Sequence, residues 1–175
     1  MGPIPSGTIT FLFTDIEGST KLWKAHPEAM KAALARHDEI LRSAIESNNG
    51  YVFKTIGDAF CAAFRTAPKA VIAITQAQKA LQAEDWGEIG TLKVRAALHT
   101  GSTDERDGDY FGTPVNRVAR LLSAGHGGQT LLSLATSELV RDILPGGTSL
   151  IDLGEHRLKD LTRPEEVFQL ATLGL

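Results

Sequence analysis

The chain has 175 residues, with 18 Lys and Arg against 21 Asp and Glu and a formal charge of −3. That length suits one domain, and an apolar content of 42% supports a real core and is too high for a disordered chain. The slight acidity excludes general nucleic-acid or anionic-membrane binding, and the single cysteine, Cys61, excludes a disulfide framework and a multi-cysteine zinc site.

Residues 1–7 read as an N-terminal tail and 8–175 as one continuous domain. Thr8 to Thr14 alternates with period two and is rich in β-branched and aromatic residues, which predicts a strand. Asp15-Ile16-Glu17-Gly18-Ser19-Thr20 then forms a polar turn opening a short helical stretch. Pro27 suits a helical first turn, and Met30, Leu34, His37, Leu41, Ala44 and Ile45 keep one helical face until Asn49-Gly50. Tyr51–Ile56 and Ala59–Phe64 are β-like runs joined only by Gly57-Asp58, a hairpin signal. Thr66-Ala67-Pro68 caps an alanine-rich helix to about Ala83, and Leu92–His99 reads as a strand. Gly101–Gly112 reads as a polar, charged loop, followed by a helix from Thr113-Pro114 through Leu122. Gln129–Ser133 predicts a strand, Thr136–Leu144 a helix, and Thr148–Leu153 and Glu166–Leu170 two further β pieces. The order is βαββαβ with additions, an α+β sheet covered by helices on one face. No apolar run approaches the roughly 20 residues of a membrane span and no secretory leader is expected, so a cytoplasmic protein without membrane insertion is the expectation.

Three groups of residues could carry chemistry. Asp15 follows the first strand and Asp58 sits in the hairpin turn. If the two elements are neighbours, both carboxylates meet at one sheet edge, a donor set suited to a hard divalent cation. A helix cap for Asp15 and a simple turn former for Asp58 are the alternative readings. The small residues Gly18-Ser19-Thr20 would leave backbone N–H groups for a phosphate beside such a cation. Asn116 and Arg120, four apart on one helix, share a face and could clamp a phosphoryl group, with Arg117 on another face; a solvated amphipathic helix is the alternative. Lys54 and Asp109 supply a donor and an acceptor that together match the N1 and N6 edge of adenine and mismatch guanine, if they are more than solvated surface charges.

Four segments together resemble the class III nucleotidyl cyclases, the adenylate/guanylate cyclase catalytic domain family. They are Phe11 to Thr20, Phe53 to Phe60 (Phe53-Lys54-Thr55-Ile56-Gly57-Asp58-Ala59-Phe60), Val94 to Gly101, and Asp109 to Arg120. They occur in the family's order and span nearly the whole chain, most like single-domain bacterial adenylate cyclases.

The resemblance implies the class III cyclase fold, a ferredoxin-like βαββαβ core with additional C-terminal β/α elements. It implies that Asp15 and Asp58, with the Ile16 carbonyl, hold two Mg²⁺ or Mn²⁺ ions per site. Lys54 and Asp109 match the purine-selecting pair of adenylate cyclases, Asn116 would orient the ribose, and Arg120 would stabilise charge on the α-phosphate. Arg95 matches a triphosphate-binding arginine, and Lys159, in Arg157-Leu158-Lys159, is similar to a late phosphate-binding lysine. It further implies a homodimer with two interfacial sites, one subunit giving the metal aspartates and the other the base pair, Asn116 and Arg120. The expected activity is conversion of ATP to cyclic AMP and pyrophosphate; a guanylate cyclase and a catalytically silent cyclase-like module are the alternatives. Two departures stand out: only seven residues separate Gly101 from Asp109, where many family members carry more, with Asp107 as a second candidate for the base contact. Ser19 stands where many relatives have an aromatic residue. No residue is assigned as a dedicated general base, His99 reads as structural, and Cys61 as a small core residue.

Overall fold

Alternating apolar residues with tight turns between them produce one sheet around which every helix is arranged. The computed structural model describes residues 4–159 and 161–175, so the first three residues of the expected tail lie outside it. In chain order the elements are β1 (Gly7–Ile16), α1 (Ser19–Ala25), α2 (Pro27–Ser47), β2 (Tyr51–Ile56), β3 (Ala59–Phe64), α3 (Ala67–Ala83) and a 3₁₀ turn (Gly87–Ile89). They continue as β4 (Val94–Arg106), β5 (Asp109–Phe111), α4 (Thr113–Ser123), β6 (Thr130–Ser133), α5 (Leu134–Val140), β7 (Thr148–His156) and β8 (Glu165–Thr172). The strand order is β2-β3-β1-β4-β6-β8-β7, with β5 paired to β4. The first four strands form the expected βαββαβ core, antiparallel throughout, and β6 joins β4 in parallel.

Period-two alternation divides the sheet into two apolar faces. Leu12, Ile16, Ala62, Phe64, Ala96 and Leu98 point to a core shared with the buried faces of α2 and α3. The intervening Phe11, Phe13, Ala63 and Ala97 point the other way, onto Val118, Leu121 and Leu122 of α4. The helices of the βαββαβ unit thus cover one face as expected, while the additional α4 covers the other. That second face also holds an aromatic cluster in which Phe11, Phe53 and Tyr110 meet edge to face, with centroids 4.8–5.9 Å apart. Tyr110 donates its hydroxyl to the Pro5 carbonyl, which ties the segment before β1 to β5.

The segment read as a polar loop is a β-ribbon. β4 continues to Arg106 and returns as β5, with Arg106 opposite Asp109 and Asp104 opposite Phe111. Asp107 and Gly108 make the turn with φ of 53° and 79°, the two positive angles that a two-residue hairpin requires. The ribbon sends only Tyr110 into the core and leaves its other residues exposed or half-buried, so hydrophobic alternation gives too short a signal to reveal it. Near the other end of the chain, α5 starts at Leu134 instead of Thr136, because Ser133 is the N-cap and accepts from the Thr136 N–H.

A buried polar chain crosses the sheet: Thr10 to Thr100 at 2.9 Å, Thr100 to Thr136 at 2.9 Å, and His99 Nδ1 to the Ser133 hydroxyl at 2.6 Å. Burial, assisted by the charge of Arg117, pushes the His99 imidazole from 6.5 down to about 4. The folded protein therefore holds His99 neutral where the unfolded chain would protonate it. Unfolding free energy should be at its full value above about pH 6.5 and fall as the pH drops toward 4, by about 2–3 kcal/mol from this group. Urea titrations across that range should show the loss, and His99→Gln should flatten the slope.

Candidate active site

The antiparallel register of β1 on its two neighbours assembles one edge of the sheet. Thr14 lies opposite Phe60 on β3, which brings the β2–β3 turn beside the end of β1. There the Ile16 N–H donates to Asp58 Oδ1 at 3.4 Å, so Asp58 is more than a turn former. Gly57 adopts φ of 59° in that turn, as the hairpin reading requires. Asp15 is within the strand; the N-cap of α1 is Gly18, with no side-chain cap, so the helix-cap alternative for Asp15 does not hold. On the other side, Asp15 lies directly opposite Arg95 of β4. Arg95 Nε donates to Asp15 Oδ1 at 2.7 Å and Nη2 to Oδ2 at 2.5 Å, a bidentate pair with 27% and 21% of the two side chains exposed. This bonding raises the pKa of the Arg95 guanidinium above its ordinary value.

The donor set suits a hard cation. Two carboxylates lie beside the Ile16 backbone, and no group of three or more His, Cys, Asp and Glu is poised for a metal among the described residues. A divalent ion here would complete its shell with water and phosphate oxygens. Both Asp15 oxygens are engaged by the Arg95 guanidinium, so a divalent ion there would take the place of this pair.

Lys54 and Asp109 also meet, at 3.0 Å, although β2 and β5 are far apart in sequence. Strict alternation would send Lys54 to the α2/α3 face. A bulge between Val52 and Lys54 instead sets Lys54 opposite Cys61, a residue of the α4 face. Phe53, the extra residue, packs in the aromatic cluster beneath the pair. Cys61 is buried there, and burial pushes its thiol up to about 11, so it stays a protonated wall residue.

Asn116 and Arg120 are on α4, which packs against β4 and β1, with Asn116 exposed and Arg120 partly buried. The reading that separated Arg117 from this pair agrees with its contact: Arg117 lies 3.5 Å from Glu165 of β8. Burial raises the Glu165 pKa and the Arg117 charge opposes that shift. Lys159 is exposed, next to Leu158, which is buried in the α4-side core. The sequence reading missed two supporting residues. Phe53 creates the bulge that aims Lys54, and Glu17 takes the Gly127 N–H at 3.0 Å, fastening the end of β1 to the turn before β6. Neither carries a local signal, because one depends on strand register and the other on a contact between distant segments.

The structure thus places on a ferredoxin-like core an acidic sheet edge with an arginine opposite it, a Lys–Asp pair between β2 and β5, and a helix carrying Asn116 and Arg120. The model of the adenylate and guanylate cyclase catalytic domain matches residues 3–171. The chain belongs to that family. It is 41% identical over 168 residues to an uncharacterized protein of Mycobacterium tuberculosis, covering 95% of this chain and 56% of that protein. It is 31% identical over 208 residues to an adenylate cyclase of Schizosaccharomyces pombe, covering 93% of this chain and 12% of that protein. The chain thus spans about half the length of the mycobacterial relative and a small part of the yeast one. Among solved structures it resembles a Trypanosoma brucei adenylate cyclase in its monomeric state, with a TM-score of 0.86, 29% identity, and coverage of 97% of this chain and 90% of that one. It also resembles the adenylyl cyclase CyaB of P. aeruginosa, with a TM-score of 0.79, 26% identity and coverage of 94% of each chain.

The Asp15–Arg95 pair should be measurable without any ligand. In cation-free buffer, a double-mutant cycle of Asp15→Ala and Arg95→Ala, read by urea unfolding, should give a coupling of about 1–3 kcal/mol. A coupling near zero would mean the bidentate contact is not maintained in solution.

Proposed function

We propose that the chain is an adenylate cyclase catalytic domain that converts ATP to 3′,5′-cyclic AMP and pyrophosphate at sites shared between two copies. The observation that carries this reading is the acidic edge, where Asp15, held by Arg95, lies beside Asp58 and the Ile16 backbone. Asp15, Asp58 and the Ile16 carbonyl would hold two Mg²⁺ or Mn²⁺ ions. When bound, these would lower the pKa of the ribose 3′-hydroxyl and offset charge on the leaving pyrophosphate.

The residues of the chain supply positioning and charge. In the reaction the 3′-oxygen bonds to the α-phosphorus while the bond to the β-phosphate bridging oxygen breaks, and the hydroxyl proton leaves to water. Attack is intramolecular, so holding the ribose against the α-phosphate accounts for much of the barrier reduction. Asn116 would orient the ribose and Arg120 would meet the charge developing on the α-phosphate. Arg95 would exchange the Asp15 carboxylate for the triphosphate as a cation takes its place, with Lys159 a second phosphate contact. His99 takes no part, since its ring is buried and bonded to Ser133.

Lys54 and Asp109 support adenine as the base. Their contact holds the ammonium and carboxylate side by side, ready to donate to N1 and accept from N6. Against guanine the same pair would set donor to donor and acceptor to acceptor. Support for a dimer comes from the rim of the site. Ile56, beside the Asp58 turn, and Phe111, beside Asp109, are large apolar residues 63% and 50% exposed. Lys54 and Asp58 share one hairpin yet face different partners, β5 and β1, which suits two sites related by a twofold axis.

Purified protein with Mn²⁺ or Mg²⁺ should yield cyclic AMP from ATP, and turnover of GTP should be at least about tenfold lower. No cyclic nucleotide from a preparation shown to be dimeric would overturn the reading, and Lys54→Glu combined with Asp109→Gly should erase the preference for ATP. Sharing of sites is tested separately by mixing Asp15→Ala chains with Arg120→Ala chains, each inactive alone. Verified heterodimers should recover activity at their one intact site, and continued inactivity would count against the shared arrangement.

A further inference from the structure

A cavity of about 570 Å³ lies between the C-terminal end of α3, the segment leading into β4 and the turn ahead of β6. That volume suits a small organic ligand. One wall is apolar, formed by Leu81, Trp86 and Leu92, all nearly buried. The Trp86 indole N–H is bonded to the Leu81 carbonyl at 2.9 Å, which fixes the ring as part of the wall.

The polar wall has a definite donor and acceptor pattern. Gln78 spends its Nε2 on the Val94 carbonyl at 3.0 Å, leaving its Oε1 as an acceptor for a ligand. Gln169 spends its Oε1 on Gln129 Nε2 at 3.0 Å, leaving its own Nε2 as a donor. One acceptor and one donor complement the edge of a carboxamide or lactam, which presents an N–H beside a C=O. The charges at the rim offset one another: Glu84, paired with Arg36 at 3.0 Å, and Lys93 both line the cavity, so the rim favours a neutral molecule over an ion of either sign.

The same rim is fastened to the acidic edge. Lys93, Gly127 and Gly128 line the cavity. The Lys93 carbonyl accepts from the Glu17 N–H at 2.9 Å, Gly127 donates to Glu17 Oε1 at 3.0 Å, and Gly128 donates to the Val94 carbonyl at 2.9 Å. A Cβ on Gly127 would come within 2.5 Å of Glu17 Oε2 and 2.6 Å of Lys93 Cβ, so these segments have no slack between them. Glu17 follows Ile16 and Val94 precedes Arg95. A ligand that shifts this rim therefore pushes on the strand ends that carry Asp15 and Arg95.

We infer that this cavity is an effector site for a small, neutral, planar molecule bearing a carboxamide or lactam edge, and that its occupancy is transmitted through Glu17 and Gly127 to the Asp15–Arg95 edge. The test uses benzamide as the probe and isotope-labelled full chain followed by amide NMR, with neither nucleotide nor divalent cation present, so its outcome is independent of the cyclase reading. Benzamide should bind saturably with a dissociation constant of about 1 mM, as expected for so small a molecule, and move the Trp86 indole N–H and the Gln78 and Gln169 side-chain amides. Backbone amides of Glu17 and Gly127 should move with the same midpoint. Benzoate, which lacks the N–H donor and carries a charge, should bind at least about tenfold more weakly. Thr91→Trp, placing a large ring at the exposed rim, should abolish binding in a protein whose spectrum remains dispersed. No shift at the lining residues, equal binding of benzoate, or undiminished binding to a folded Thr91→Trp variant would each overturn the site. Shifts confined to the cavity, with Glu17 and Gly127 unmoved, would overturn the transmission.

Discussion

The antiparallel register between β1 and β4 is the constraint on which the rest of the site depends. It sets Asp15 directly opposite Arg95, and the same ladder sets Thr10 opposite Thr100 and Phe13 opposite Ala97. A slip of one residue would turn Phe11 and Phe13 from the α4 core to the α2/α3 core, so burial on both faces enforces the register strongly. The acidic edge is therefore placed by the hydrophobic core. A carboxylate at the end of so constrained a strand would lose little further freedom on taking a cation, which is the advantage of building a site on a sheet rather than on loops.

The pairing of Asp15 with Arg95 satisfies that edge in the free protein. Both oxygens of Asp15 are engaged by a guanidinium in the free protein. A partly buried carboxylate left without a partner would be costly, and the arginine removes that cost without a bound ion. On the proposed function, a divalent ion taking the carboxylate would free the same arginine for a triphosphate. Loading of cation and of nucleotide phosphates would then be favoured together by charge balance.

A different device positions the Lys54–Asp109 pair. The bulge at Phe53 breaks the alternation of β2 for one residue and moves Lys54 from one face to the other. The cost is a disrupted ladder at a sheet-edge strand, where irregularity is best tolerated, and the extra ring of Phe53 is recovered in the aromatic cluster with Phe11 and Tyr110. Asp109 reaches the pair because the β4–β5 ribbon turns at Asp107-Gly108 and returns along the edge of the sheet. Glu17 and Gly127 play the corresponding role on the opposite side, tying the end of β1 to the turn before β6.

The sequence by itself determined the core elements, the two hairpin strands with their bounds, and the family, because those rest on local periodicity, turn residues and the spacing of four segments. It also named Asp15, Asp58, Lys54 and Asp109 as residues of interest. It did not reveal that Gly101 to Gly112 is largely strand, because in that ribbon only Tyr110 is buried, too little to produce alternation. Only the tertiary structure decided which residues touch. Asp15 finds Arg95 across 80 residues of chain and Lys54 finds Asp109 through a bulge that no composition announces. Which helix covers which face was settled in the same way, α4 alone opposite α2 and α3. The physical reason is common to all three: local sequence sets what a segment can be, whereas register and packing, summed over the whole sheet, set what it meets.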